Sequence, residues 1–486
     1  MSRVPEGQTR TGLFVAGEAR ETEQAFPVFD PAAPETIVGY AADAGAEAAR
    51  AAVAAAHEAF PGWAELGARE RADLVLATLE ALGAGSDERI DLLCRENGKV
   101  RSECEIEMLS LAGRFERAAE FADHVDAIQT LDGPPLRTSV ARVPLGVVSI
   151  IVPFNWPLAL LGCSLPQALI AGNTAVVKAP PTAPLAFVRT AELLARRLPP
   201  GVLNVISGRD EEIGPVLVAD PRVKKVVFTG SVGAGKRIMA TAAQNLTRVT
   251  LELGGNDPAL VLSDAEVDDD AIQRMVLGAF LTTGQVCMAM KRLYVHRSRY
   301  AEVVDGLSEA LATTRVGPGL DAGATMGPLH TRRQRDFVAD LLGEARRGDA
   351  EVRELGEAVD EAESRGGHFL RPALVLDPTP DARIVTEEQF GPALPIIPFD
   401  DEREAIDRAN DTWAGLCSSV WSGDPERAGA VAARLRSGTT FVNGHSGPYL
   451  DDRAPFGGLN QSGVGREMGV EGLLAFTDTH SVSFPG

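Results

Sequence analysis

Residues 147–207 read VVSIIVPFNWPLALLGCSLPQALIAGNTAVVKAPPTAPLAFVRTAELLARRLPPGVLNVIS, and the fold class turns on this stretch. Val147–Val152, Thr174–Lys178 and Val202–Ser207 are short apolar runs, separated by helical patterns around Leu158–Ala171 and Leu185–Arg197. A strand that is apolar on both faces belongs inside a sheet covered by helices, and helices between such strands call for parallel pairing. The stretch therefore predicts an α/β fold with a doubly wound sheet.

Working outward, Val223–Thr229, followed by Gly230 and a helix from about Ala234, repeats the unit. A second region of the same kind begins near Asp257 and takes in Arg292–Val295, Ala393–Phe399 and Thr439–Asn443, giving two doubly wound α/β domains. Upstream, after a polar start, Asp43 is placed to cap an Ala-rich helix running towards Phe60, and helices follow around Arg69–Leu82, Asp87–Asn97 and Glu103–Asp126. Between these parts Asp132-Gly133-Pro134-Pro135 makes a turn, and Arg137–Val143 alternates like an exposed strand. Such a ribbon can pair with another subunit. The acidic Gly348–Glu363 reads as a solvated surface stretch, and no repeat of solenoid period is present.

A chain of 486 residues exceeds one core, so two or more domains are expected. The formal net charge of -21 opposes binding to a phosphate backbone, which excludes nucleic acid as a partner. Only six lysines stand against 41 arginines, so each lysine merits inspection. The five cysteines (Cys94, Cys104, Cys163, Cys287, Cys417) form no CxxC pair and no cluster with histidine. That usage points to a reducing cytoplasm and to no metal site. The N-terminus lacks the apolar core of a signal peptide, and Leu158–Ala171, the most apolar later stretch, is short and contains Gly162 and Pro166. Neither secretion nor membrane insertion is expected.

Four places could carry chemistry. Phe228–Lys236 sets a glycine-rich turn between a strand and a helix, where backbone N–H groups favour phosphate. The stretch also fits GxxxxGK, but the next residue is Arg237 where a magnesium-binding Ser or Thr is needed, so a dinucleotide pyrophosphate is a better ligand than ATP. A plain structural turn is the other reading. Glu252 alternates with Leu251 and Leu253 and precedes Gly254-Gly255, a bend that can aim a carboxylate into a cleft; alone, it could equally be an exposed structural glutamate. Cys287 follows Gly284-Gln285-Val286, a polar and shaped setting in which a thiolate can act as nucleophile, although free cysteines commonly serve as small buried hydrophobes. Asn155 is bracketed by Pro153 and Pro157 at the carboxyl end of a strand, either as a turn former or as a rigid oxyanion donor.

Together and in this order, these elements resemble the aldehyde dehydrogenase superfamily from roughly Phe26 to Phe484. The shared signatures are PFNWP at 153–157, the strand-ending lysine at 178, FTGS at 228–231, LELGG at 251–255, GQVC at 284–287, EEQFGP at 387–392, and PFGG followed by SGVGRE from 455 to 467. The resemblance implies that Cys287 is the nucleophile and Glu252 the general base, with Asn155 and the Cys287 backbone N–H forming the oxyanion hole. Acyl-transferring members lack this glutamate, so its presence implies a carboxylic acid product. For the cofactor, NAD or NADP, it implies Lys178 at the adenosine ribose, Gly230 and Ser231 near the pyrophosphate, and Glu388 with Phe390 at the nicotinamide ribose and ring. Phe154, Trp156, Pro181 and Gly254 complete the cofactor-binding set. Phe154, Trp156, Met288 and Phe456 match positions lining the substrate tunnel, and Trp156 and Phe456 lean towards an apolar or aromatic aldehyde.

The family fold implies a Rossmann-like cofactor domain from 1–127 and 145–256, a catalytic domain from 257–462, and a small β-ribbon oligomerisation element from 128–144 with 463–486. Homodimers or homotetramers follow, because the ribbon would leave unpaired edges in a monomer. Three positions depart from the family pattern. Pro181 replaces an acid that binds the adenosine 2'-hydroxyl in many NAD-preferring relatives, so the 2'-phosphate of NADP is not excluded by charge at that position. Ser164 replaces a lysine that, with a glutamate matching Glu467, belongs to a proton path towards the base. Asn460 replaces a further lysine, with no functional account. A catalytically silent member acting as a binding or structural protein is the alternative that the missing lysine at Ser164 keeps in play.

Overall fold

The computed structural model describes residues 9–133, 135–348, 350–359 and 366–485. Two mixed sheets organise the chain. In the first, strands run in the order 463–464, 248–252, 223–229, 147–151, 174–178, 203–206, 13–15, 18–20. The five from 248–252 to 203–206 pair in parallel. Chain order reverses between Val147–Ile151 and Val223–Thr229, so the loops leaving these neighbouring strands diverge and open a crevice at their carboxyl ends. Apolar side chains cover both faces: Pro157–Ile170, Leu185–Ala195 and Arg101–Glu120 pack on one, Gly45–Ala64, Asp210–Ala219 and Val232–Ala242 on the other.

The second sheet has the order 351–354, 373–376, 393–399, 290–296, 257–261, 417–421, 439–442, parallel except for its first strand. Its two faces carry separate apolar clusters under Asp269–Phe280 with Arg297–Ala312 and under Arg332–Arg347 with Glu402–Asn410. A third sheet, Thr477–Pro485 against Leu136–Pro144 against Gln129–Gly133, is antiparallel, its outer strands mostly exposed and its middle strand partly so. The doubly wound α/β expectation and the ribbon are thus both present. Pro134, in the expected ribbon turn, lies outside the described residues.

Several local expectations are corrected. The Ala-rich helix starts at Gly45 without a side-chain cap, and Asp43 instead pairs with Arg209 at 3.2 Å. Arg69–Leu82 divides into the α-helix Ala68–Ala77 and a tighter 3-10 turn, Thr78–Gly83. Glu103–Asp126 divides at Phe121 into Arg101–Glu120 and the single turn Asp123–Asp126. The start of the chain, read as merely polar, contains the hairpin Leu13–Val15 with Glu18–Arg20. Its two-residue turn, Ala16-Gly17, takes positive φ at both positions, 58° and 82°, as tight hairpins require. Alanine there hides the usual Asn-Gly signal. Within the acidic stretch, Glu351–Glu354 forms an edge strand against Ala373–Leu376 through backbone bonds, with charged side chains left outward; residues 349 and 360–365 lie outside the described residues.

Candidate active site

Cys287 follows a turn built under constraint. The helix Asp269–Phe280 ends in Leu281–Gly284, where Thr282, Thr283 and Gly284 all have left-handed backbone, φ 53°, 57° and 72°. Two β-branched residues in that region cost energy and persist only when neighbours hold them. Here the Thr282 N–H donates to Glu103 at 2.6 Å and the Thr283 hydroxyl to the Gly327 carbonyl at 2.9 Å. The Gln285 amide donates to the Thr282 carbonyl and accepts from the His330 N–H. A Cβ on Gly284 would lie 2.3 Å from the Gly391 carbonyl oxygen, so only glycine fits. The turn leaves Cys287 half-buried, while the other four cysteines are buried.

Asn155 is brought to the same place from the first sheet. Its Nδ2 donates to the Gln285 carbonyl at 2.9 Å, which leaves the second N–H of the amide for another acceptor. Lys99 and Glu107, a buried ion pair, hold this loop: Lys99 Nζ donates to the Asn155 carbonyl at 2.8 Å, and Glu107 accepts from the Leu158 and Ala159 N–H groups that open the helix. Burial of a charged pair is tolerable because each partner is hydrogen-bonded elsewhere as well.

Glu252 ends its strand fully buried, with neither carboxylate oxygen hydrogen-bonded within the chain. A Cβ on Gly457 would lie 2.9 Å from its Oε1, so the PFGG loop passes directly over it. Burial holds its carboxyl well above the usual carboxylate range; Glu467 adds to the rise and Arg466 opposes it. Glu467 is buried too, bridged through its backbone to Phe456, and accepts from Ser164 at 2.5 Å. Burial pushes the Cys287 thiol up to about 12 against the pull of Lys291, with Glu388, Asp257 and Glu252 adding to the rise.

Around these groups Cys163, Val286, Met288, Leu416, Phe441, Phe456 and Met468 form an apolar cluster between the two sheets, with Trp156, Leu160 and Leu450 packed on it. Trp156 and Phe456 therefore join Met288 beside Cys287. Trp156 also lies under the Lys99 ammonium at 4.4 Å.

The crevice of the first sheet is a cavity of about 660 Å³ lined by residues that include Phe154, Lys178, Pro181, Gly230, Ser231 and Arg237. Ser231 caps the helix Val232–Ala242, its Oγ accepting from the Ala234 N–H, so that helix opens onto the cavity with its positive end. A Cβ on Gly230 would lie 2.5 Å from the Phe228 ring. Size, helix terminus and lysine suit a dinucleotide. Lys236 does not line the cavity; its Nζ donates to Gln461 at 2.7 Å, which removes the support for a P-loop. Trp156, Gly254, Glu388 and Phe390 stand outside the cavity wall. Phe390 meets Phe154 edge to face at 6.3 Å, and Glu388 accepts from the Gly255 N–H at 3.1 Å. A Cβ on Gly254 would lie 2.1 Å from Glu388 Oε2, so glycine is what admits this carboxylate.

Sequence reasoning passed over Lys99, Glu103, Glu107, Lys291 and His330. The scarcity of lysine was a usable signal for Lys99 and Lys291. Glu103 and Glu107 sit on a helix that reads as amphipathic, and His330, stacked on Phe154 at 4.1 Å, gave no local sign. Among the described residues no cluster of His, Cys, Asp and Glu could hold a metal, and no helix is long and apolar enough to cross a membrane.

A model of the aldehyde dehydrogenase family matches residues 18–482. Mitochondrial succinate-semialdehyde dehydrogenase of Rattus norvegicus is 36% identical over 484 residues, covering 98% of this chain and 91% of its own length. Among solved structures, an NADP-dependent enzyme of E. coli superposes with a TM-score of 0.93 at 32% identity over 98% of each chain. Betaine aldehyde dehydrogenase of Staphylococcus aureus, solved in complex with NAD+, superposes with a TM-score of 0.92 at 29% identity, covering 99% of this chain and 96% of its own. The chain belongs to the aldehyde dehydrogenase family, the class of NAD(P)-dependent oxidoreductases that act on aldehydes.

Proposed function

We propose that the chain oxidises an aldehyde to the carboxylic acid through a covalent intermediate on Cys287. The observation that carries this reading is Glu252: a buried carboxylate with no hydrogen-bond partner in the chain, in one site with a half-buried cysteine. An unpaired carboxylate there is costly, and a water proton to accept offsets that cost.

In this reading the Cys287 thiol loses its proton to water and its sulfur attacks the aldehyde carbon. The resulting thiohemiacetal oxygen takes hydrogen bonds from Asn155 Nδ2 and the Cys287 N–H. A nicotinamide bound in the crevice supplies the acceptor for the hydride that leaves this carbon. Glu252 then takes a proton from water, whose oxygen attacks the thioester carbon, and the Cys287 sulfur departs. Ser164, donating to Glu467, leaves the outward proton route to that glutamate and to water. Lys178, Pro181, Gly230, Ser231 and Phe154 would hold the dinucleotide, with Glu388, Phe390 and Gly254 towards the nicotinamide end. Trp156, Met288 and Phe456 would wall the aldehyde, favouring an apolar or aromatic body.

The same reading assigns residues 1–127 and 145–256 to a cofactor domain, 257–462 to a catalytic domain, and 128–144 with 463–486 to an oligomerisation element. Exposed Leu131, Leu136, Val482 and Phe484 on the ribbon support a homodimer or homotetramer. A panel of aliphatic, aromatic and charged aldehydes, run with NAD and NADP while following reduced nicotinamide, tests the proposal. Turnover lost in Cys287→Ala supports it. No turnover with any aldehyde, and no selective alkylation of Cys287, would leave the catalytically silent reading standing.

A further inference from the structure

Pro181 has no side-chain acceptor for a ribose hydroxyl, yet the cavity contains a carboxylate beside the ribose lysine. Strand Leu203–Ile206 pairs in parallel with Thr174–Lys178, with Ile206 opposite Lys178, so the chain leaving Ile206 returns over the end of the lysine strand. It starts a new helix there, Asp210–Ala219, and Asp210 Oδ1 lies 2.5 Å from Lys178 Nζ. The lysine side chain is 2% exposed and the aspartate 61%, so one end of the pair is fixed in the wall and the other faces the opening. Lys178, Pro181, Asp210 and Glu211 all line the cavity.

A helix N-terminus beside a lysine is by itself a favourable place for a phosphate. Here the first turn carries Asp210, Glu211 and Glu212, which meet the positive end of the helix with carboxylates of the chain's own. A phosphate arriving at Lys178 would have to break the ion pair and lie against those charges. A ribose hydroxyl meets no such conflict, because it can donate to Asp210. We propose that Asp210 is the specificity-determining residue for the cofactor: it accepts from the adenosine ribose and turns away a 2'-phosphate, so the enzyme selects NAD over NADP. This rests on reading the cavity as the dinucleotide site. Arg237 is a further cation in the wall, and a 2'-phosphate received there would instead make the two cofactors equivalent.

The test is calorimetric binding of ADP and of ADP carrying a 2'-phosphate to the full-length protein, with kcat/KM for NAD and NADP alongside. The wild type is expected to bind ADP at least about tenfold more tightly. Asp210→Ser should narrow or invert that ratio by about tenfold, equivalent to about 1.4 kcal/mol. Glu212→Gln removes a charge from the same turn but outside the cavity wall, and should change the ratio little. Equal binding of both nucleotides by the wild type, or a ratio unmoved by Asp210→Ser while both still bind, overturns the proposal. A shift in Glu212→Gln as large as that in Asp210→Ser also overturns it, since the general field of the helix turn would then be responsible. Binding of neither nucleotide would overturn the dinucleotide reading itself.

Discussion

Lys291 Nζ donates to the carbonyl of Cys287 at 2.7 Å, reaching back over the turn that carries the proposed nucleophile. It also donates to the Val286 and Ala289 carbonyls, at 2.8 and 3.3 Å, and lies 3.6 Å from Glu388 Oε1. One buried ammonium thus fixes the shape of the Cys287 loop and ties it to the carboxylate expected at the nicotinamide ribose. Hydrogen bonds to a charged group contribute about 1.5–3 kcal/mol each. Lys291→Met is predicted to lower kcat/KM by about 10- to 100-fold for that reason. It should also slow alkylation of Cys287 at a given pH, because the cation that draws the thiol pKa down is gone. Steady-state kinetics and timed labelling check both; an unchanged labelling rate would assign Lys291 a purely structural part.

Cysteine reactivity should be ordered by environment. With its thiol at about 12 in the free protein, Cys287 is expected to react slowly with iodoacetamide near neutral pH and about tenfold faster for each added pH unit. Cys163 and Cys417 are buried with thiols raised by burial, and should label later. Peptide mass spectrometry over a pH series reads the order, and a faster Cys163 would contradict it.

Glu252→Gln separates the two halves of the reaction. Removal of a general base costs about 10²–10⁴ in rate, so hydrolysis should fall by that order while a first-turnover burst of reduced nicotinamide persists. Because burial raises the Glu252 carboxyl, its ionised fraction grows as pH rises beyond the ordinary carboxylate range, and wild-type turnover should climb with it. The variant should lack that limb. Rapid mixing and a pH–rate profile check the two expectations.

Glu103 links stability to pH through the strained turn. Burial raises its carboxyl to about 7 despite the Thr282 N–H and Lys99, so the folded chain holds this proton more tightly than the unfolded chain. The stability contributed is full below the ordinary carboxylate pKa and is lost as pH rises through about 7. Glu103→Gln, which keeps an acceptor for Thr282 without the charge, should therefore show a smaller fall in Tm between weakly acidic and weakly alkaline buffer than the wild type. Calorimetry at the two pH values checks it.

The apolar runs ending at Val152, Lys178 and Thr229 were legible because a strand buried on both faces must be apolar throughout, and the motif order placed Asn155, Glu252 and Cys287 in one family framework. What pattern could not convey was long-range support. Glu103 reaches Thr282 and Glu107 reaches Leu158 only after the helix that carries them packs, so their spacing looks like an ordinary helix surface. Asp210 was invisible for the same reason: its partner Lys178 is 32 residues earlier and becomes adjacent through strand pairing. The hairpin at Ala16-Gly17 was missed for a local reason, a turn residue that rarely takes positive φ.

The central claim is covalent catalysis at Cys287, and trapping the acyl enzyme tests it most directly. Glu252→Gln incubated with an aldehyde and oxidised nicotinamide cofactor should gain the mass of one acyl group, carried on the peptide containing Cys287, and should not gain it without the cofactor. Aldehyde oxidation with no adduct on Cys287, or an acyl group found on another residue, would contradict the account.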